Sequence, residues 1–419
     1  MKVLHVNTKD SGGAALAAIR LHCALLQAGV DSSMLVSKFS RTDVPRVFQV
    51  PHKRLSRVVN IFRRAGRLLG LFQSYEEAVT SALAGKVIGF DSYSLSYSFY
   101  DITKLDLYKK ADIIHLHWVA GFVDYSFFSK NTKPVVWTFH DMAPFTGGCH
   151  YSSGCEGYRT GCVQCPQIEG IRNPMLSKQN LAYKSRFLTK EEVVIVSLCN
   201  WMKAKIEESS LCKEMHVEKI YNSLDTDLFK MYPKEVARSL FNLPPNKRIV
   251  LIVSEDLENR RKGVDILMRA IAALGASDML FCAVGGNRKV SDSGNTIRYL
   301  GSISDERAMA MIYNAVDVVV LPSIEDNLPN VMLEALACGT PIISFANGGM
   351  LEIVVNEVNG LLVEAFSAEA LSQSLRAFFA SDLQTKREEI RLRAISQFHP
   401  DVQVQKFMRL YQSCYGDAS

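Results

Sequence analysis

The sequence of 419 residues has no apolar run approaching the ~18 residues that would suggest a membrane-spanning helix. Its opening, MKVLHVNTKDSGG, lacks the apolar stretch and small-residue cleavage site of a secretory signal. The expectation is therefore a cytoplasmic protein. A strong excess of one charge is also missing, since 48 Lys and Arg against 43 Asp and Glu leave a formal net charge of +5. So mild a balance argues against nucleic acid as a partner. No internal sequence repeat is visible. What is present is ordinary for a globular chain, 48% hydrophobic and 22% charged residues. Length alone suggests two or three domains, and two large α/β domains fit.

Apolar strand-like runs alternate with helical patterns along the chain, the signature of parallel sheets covered by helices. KVLHVN (2–7), SSMLVS (32–37), DIIHLHW (112–118), PVVWTFH (134–140) and VVIVSL (193–198) are strand candidates in the first half. They are continuously apolar, as strands buried on both faces must be. The pattern restarts with RIVLIVS (248–254), MLFCAVGG (279–286), IRYLGS (297–302), VDVVVLPS (316–323) and PIISFA (341–346). The polar, turn-rich segment 222–234 falls between the two series. The expected organisation is two Rossmann-like domains, 1–220 and 221–395, with parallel sheets facing a cleft. A final helix over 396–419 is expected to cross back to the first domain. Sheets of this kind bind ligands beyond the C-terminal ends of their strands.

PSIEDNLPNVMLEALACGTP (322–341) follows one such strand. Pro329 suits the start of a helix, and Gly339 its end. Asp326 then lies in the loop, and Glu334 about one and a half turns into the helix. The free N–H groups at such a helix start favour a phosphate. Carboxylates there repel phosphate, so their natural partners are hydroxyls. A ligand with both phosphates and hydroxyls is a nucleotide sugar. ENRRKGVDI (258–266) adds Arg260, Arg261 and Lys262 before a helix opening at Gly263.

These residues, with YNAVDVVVLPS (313–323) and the acidic-x7-Glu stretch, resemble glycosyltransferase family 4, the large retaining group of the GT-B fold. The resemblance covers nearly the whole chain. It implies transfer of a sugar from a nucleotide-diphosphate donor to a glycan acceptor, with no metal or other cofactor needed for catalysis. Carried over, Glu334 holds the ribose and Asp326 the donor sugar. The family usually has Glu at the first of these positions, and Glu325 stands next to Asp326. Asn327, Leu328 and Asn330 join the donor site on the same loop. Lys262 holds the diphosphate, with Arg261 in place of an arginine that the family carries earlier in the chain. Gly12 and Gly13, after the first strand, face the donor phosphates, and His140, ending TFHD, lies near the reacting centre. His115 and His117, in IIHLHW, read as packing residues. DTD (225–227) resembles a metal motif of another glycosyltransferase fold, but here it matches an interdomain segment and is expected to be structural.

Two features lie outside that core. Cys149-x5-Cys155-x6-Cys162-x2-Cys165 has the spacing of a tetrahedral zinc site, and equally of free thiols in a compact loop. HKRLSRVVNIFRRAGRLLGLF (52–72) reads as an amphipathic helix, lying either on an anionic membrane or on the core. With the family's habit of building on lipid-linked acceptors, the role expected is in surface polysaccharide synthesis (O-antigen, capsule or exopolysaccharide), at the inner face of the membrane. A nucleotide-sugar epimerase of the same fold and a non-catalytic sugar-nucleotide binder are the alternatives.

Overall fold

The computed structural model of the chain describes residues 1–50, 75–87, 89–188, 193–275, 278–286 and 297–416. The basic segment 52–72 lies outside the described residues. The chain divides into two compact units. One comprises Met1–Ser197, Ala204–Glu218 and Arg409–Ser419, and the other Leu198–Lys203 and Lys219–Met408.

Unit 1 is built on a seven-stranded sheet in the order β3-β2-β1-β4-β5-β6-β7. Its strands are β1 (Lys2–Lys9), β2 (Asp31–Lys38), β3 (Val47–Gln49), β4 (Ile113–Leu116), β5 (Val135–Phe139), β6 (Val193–Ser197) and β7 (Val217–Lys219). Five of the pairings, β3 through β6, run parallel. The helix Gly13–Gln27 connects β1 to β2. The order reverses between β1 and β4, and loops after those strands are where ligands of such sheets bind. The short strands β3 and β7 were not anticipated.

Unit 2 has a six-stranded, wholly parallel sheet in the order β10-β9-β8-β11-β12-β13. These strands are β8 (Arg248–Val253), β9 (Met279–Val284), β10 (Ile297–Tyr299), β11 (Val318–Leu321), β12 (Ile342–Phe345) and β13 (Gly360–Val363). Period-two alternation deals the side chains of one strand to two cores. Ile249, Leu251, Val319 and Leu321 enter one apolar cluster, while Val250, Ile252, Val318 and Val320 enter the other. Both faces are thus dry, which explains the unbroken apolar runs. The last helix, Pro400–Gly416, begins in unit 2 and ends in unit 1, where the Tyr411 hydroxyl meets His115 at 2.6 Å. Among the described residues no helix is long and apolar enough to cross a membrane.

Candidate active site

In unit 2, the loop after β8 and the loop after β11 are locked together. Arg260–Lys262 forms a single 3-10 turn, capped by the Asn259 side chain, which accepts from the Arg261 N–H at 3.0 Å. Gly263 follows at φ 62, and a Cβ there would sit 1.9 Å from the Pro322 carbonyl oxygen. Only glycine fits so close an approach at a left-handed φ. The Ile324 N–H donates to the Arg261 carbonyl at 2.7 Å, closing the two loops on each other.

This arrangement gathers the charges. Lys262 Nζ lies 2.6 Å from Asp326 Oδ2, and Arg261 reaches the same oxygen at 3.4 Å while donating to the Glu325 carbonyl at 2.8 Å. Ser323 Oγ adds a contact at 3.3 Å. Burial alone would raise the Asp326 pKa. The Lys262 ammonium, then Arg261 and the hydrogen bonds, overcome it and pull the group down to about 2. Asp326 is therefore a carboxylate held by two cations. Glu325 and Asn327 are buried beside it, and Asn327 accepts from the Cys199 thiol at 3.1 Å.

The helix Asn330–Ala337 is preceded by Pro329 and followed by Gly339 at φ 73. Glu334, in its second turn, is buried and accepts from the Tyr313 hydroxyl at 2.7 Å. Leu328 is buried in the apolar cluster, and Asn330 receives the Asn222 side-chain amide at 3.3 Å. The sequence reading missed Tyr313. It also missed Gly348 and Gly349, after β12, where added Cβ atoms would lie 1.8 and 2.0 Å from the backbone oxygens of Asp326 and Asn327. The run ANGGM carried the same signal as SGGA in unit 1, a glycine pair following a strand. Asp225 and Asp227 are exposed, and Asp225 Oδ1 accepts the N–H groups of Asp227 and Leu228 at 2.9 and 3.0 Å, as a turn-forming residue does.

In unit 1, Gly12 precedes the first helix at φ 90, with open space where a Cβ would point, and Gly13 is the first helical residue. His140 sits one residue past β5 and lines a pocket with His117, Trp118, Asp141 and Lys184. Asp141, which the sequence reading passed over, accepts from His150 Nδ1 at 2.6 Å, Trp118 Nε1 at 2.9 Å and the Ala143 N–H at 2.8 Å. Burial works to raise its pKa, but His150 and these donors bring it below the ordinary carboxylate value. Lys184 is buried and donates to the carbonyls of Ala143 and Thr146, and desolvation lowers its pKa to about 8. Desolvation also lowers that of His140 to about 4, with Asp141 opposing, so the ring is neutral at pH 7. His115 and His117 are buried, as expected, but hydrogen-bonded rather than packed in apolar surroundings.

Cys149, Cys155, Cys162 and Cys165 are free thiols around a second pocket. The N–H groups of Gly147 and Gly157 donate to Cys162 Sγ at 3.2 Å and Cys155 Sγ at 3.4 Å. Burial raises the thiol pKa values of Cys149 and Cys162, the latter to about 11. Tetrahedral zinc at ~2.3 Å from each sulfur needs all four within roughly 4 Å of one another. Among the described residues, His5, His115 and His117 make up the one group of three possible ligands whose atoms lie within 4.8 Å of one another. No three of the four cysteine sulfurs form such a group.

Two parallel-sheet Rossmann-like units of this kind are the architecture of the GT-B fold, which the solved structures similar to this chain share. Residues 247–381 match the family described as glycosyl transferases group 1, so unit 2 carries a domain of that family. Over 439 aligned positions the chain is 24% identical to a protein of Escherichia coli (strain K12) named as a colanic acid biosynthesis glycosyl transferase, WcaC, covering 99% of this chain and all of the other. Among solved structures, sucrose-phosphate synthase from Thermosynechococcus elongatus aligns with a TM-score of 0.67 at 19% identity over 100% of both chains. Anabaena HepE, in complex with UDP and glucose, aligns with a TM-score of 0.66 at 17% identity, covering 99% of this chain and 100% of that one.

Proposed function

We propose that the protein is a retaining, metal-independent hexosyltransferase that moves a sugar from a nucleotide-diphosphate donor to a glycan acceptor in surface polysaccharide synthesis. The observation that carries the reading is the pair of fixed cations, Lys262 and Arg261, converging on one point in unit 2. Breaking the anomeric C–O bond leaves charge on the diphosphate, and preorganised cations stabilise it without a metal. Glu334 takes the ribose, Asp326 the donor sugar, and Asn327, Leu328 and Asn330 complete the wall. Unit 1 takes the acceptor at the pocket of His140, with Gly12 and Gly13 at the phosphates. The likeness to a colanic acid biosynthesis protein favours a surface glycan, and a lipid-linked acceptor would account for a basic segment 52–72 that rests on the inner membrane face.

The test is a panel of nucleotide sugars with glycan acceptors in the presence of EDTA, read by ¹H NMR of the anomeric proton in the product. Retained configuration without metal is the expected result. Inversion, or activity only with Mg²⁺ or Mn²⁺, overturns the mechanism. Donor turnover without an acceptor would identify an epimerase, and binding without turnover a sugar-nucleotide binder.

A further inference from the structure

The buried histidines of unit 1 form a connected chain that the transfer reaction by itself does not require. His5 on β1 is the direct register partner of His115 on β4, and β4 in turn pairs His115 with Val136 on β5. Side chains two apart share a sheet face. His5, His115, His117, Thr138 and His140 therefore stand on one face. There His5 Nδ1 lies 2.9 Å from His117 Nε2, and His117 Nδ1 lies 3.2 Å from His140 Nε2. The two contacts use both nitrogens of His117 and one each of His5 and His140.

A neutral imidazole has one N–H and one lone pair, so the chain has only two self-consistent settings. All three rings are neutral at pH 7, because burial lowers the pKa of each. In one setting His5 donates from Nδ1 to His117, and His117 donates from Nδ1 to His140. In the other every bond is reversed. The two differ at the closed end, where His5 Nε2 is buried with no hydrogen-bond partner. The first setting leaves a bare lone pair there, and the second leaves a bare N–H. Orphaned buried N–H groups are rarer in proteins than under-satisfied acceptors.

We infer that His5 and His117 are positioning residues that fix His140 as its Nδ1–H tautomer, leaving it a hydrogen-bond donor with no lone pair for use as a base. His140 Nε2 is already filled by the His117 N–H. Under the proposed function, which this inference extends, His140 then donates to a substrate oxygen in its pocket and takes no proton from the acceptor hydroxyl. Asp141 does not compete for that setting, since its carboxylate accepts from His150, Trp118 and Ala143. A metal ion at His5, His115 and His117 is the rival use of the cluster. It would have to break the His5–His117 bond, and both His115 nitrogens already meet hydroxyls, Tyr411 at 2.6 Å and Thr138 at 2.8 Å.

The test is long-range ¹H–¹⁵N NMR on the full chain labelled at histidine, without substrate, so it does not depend on the enzyme's activity. His5, His117 and His140 should all appear as the Nδ1–H tautomer, the one that free histidine disfavours. His140 as Nε2–H overturns the inference, and so does about one tightly bound metal ion per chain. His117→Phe removes the link and should return His140 to the Nε2–H form. If that variant does not fold, the milder His5→Asn, whose amide can donate to His117, should fold and keep His140 as Nδ1–H. Where transfer can be assayed, His117→Phe should lower kcat by about 10²-fold, the order found on losing one oriented donor, with a smaller change in KM. Its acid limb should also move to higher pH as Nε2 becomes free to accept a proton. An unchanged kcat profile together with a changed tautomer would sink the catalytic half of the inference alone.

Discussion

Replacing Asp326 with Asn separates two roles that the structure assigns to one carboxylate. Asp326 is buried and holds Lys262 at 2.6 Å and Arg261 at 3.4 Å. A pKa drawn down from 3.8 to about 2 corresponds to roughly 2 kcal/mol of preference for the charged form. Removing one partner of a fully buried pair costs about 3–5 kcal/mol. The Lys262 side chain retains 26% exposure and can turn to water, so the lower figure governs. Asp326→Asn should therefore lose about 2 kcal/mol at pH 7. Because the folded pKa is depressed, this stabilisation is complete above about pH 4 and fades as pH falls toward 2. The gap between wild type and variant should narrow by roughly half in urea titrations run from pH 7 down to pH 3. Ligand binding should move differently. The substitution frees both cations for a diphosphate, so a nucleoside diphosphate should bind at least as tightly, while sugar transfer falls. A variant as stable as wild type at pH 7, or one with the same deficit at pH 3, would refute the electrostatic account.

Glu334→Ala should weaken nucleotide binding by about 1.5–3 kcal/mol in calorimetry while the fold survives, and unchanged affinity would remove Glu334 from the ribose. Stability should decline as pH falls below about 6.5, because His5, His22, His115, His117 and His140 all have lowered pKa values when folded and take up protons on unfolding. Each contributes up to about 1.4 kcal/mol per pH unit, and a flat profile between pH 6.5 and 5 would contradict their neutral burial. Metal analysis of reduced protein should find no stoichiometric zinc at the cysteine pocket, whereas about one zinc per chain would show that the sulfurs draw together. Wild-type protein should sediment with anionic vesicles at low salt, and Arg57, Arg64 and Arg67 replaced by Gln should abolish it, each basic residue contributing on the order of 1 kcal/mol. Failure to bind at low salt would defeat the membrane reading.

The sheets were legible because strands dry on both faces leave continuous apolar runs, as in RIVLIVS and VDVVVLPS. The loops of unit 2 were legible because Pro329, Gly339 and Gly263 each mark a backbone geometry. β3, β7 and β13 were not, since strands of three or four residues give little pattern, and β10 was found only within the longer run IRYLGS. Tyr313 was hidden within a helix whose buried face is mostly apolar, and only the fold shows its hydroxyl meeting Glu334. The histidine chain was equally invisible. IIHLHW shows two histidines on one face, but His5 lies more than a hundred residues away and joins them only through the β1–β4 register. Asp141 was visible in TFHD, yet nothing local told it apart from a turn residue. Of its partners, Ala143 and His150 follow it in the segment after β5, and only Trp118 comes from another loop, after β4.

The most direct test of the central claim is a calorimetric titration of nucleotide sugars against wild type and Lys262→Ala, in EDTA. The account predicts that at least one nucleotide-diphosphate sugar binds wild type without metal and stabilises it, by about 2.7 kcal/mol at a hundredfold excess over Kd. Lys262→Ala should bind it more weakly and should lose still more in turnover than in affinity, because charge on the diphosphate grows in the transition state. Binding that requires Mg²⁺ or Mn²⁺, or that is indifferent to Lys262, would contradict it.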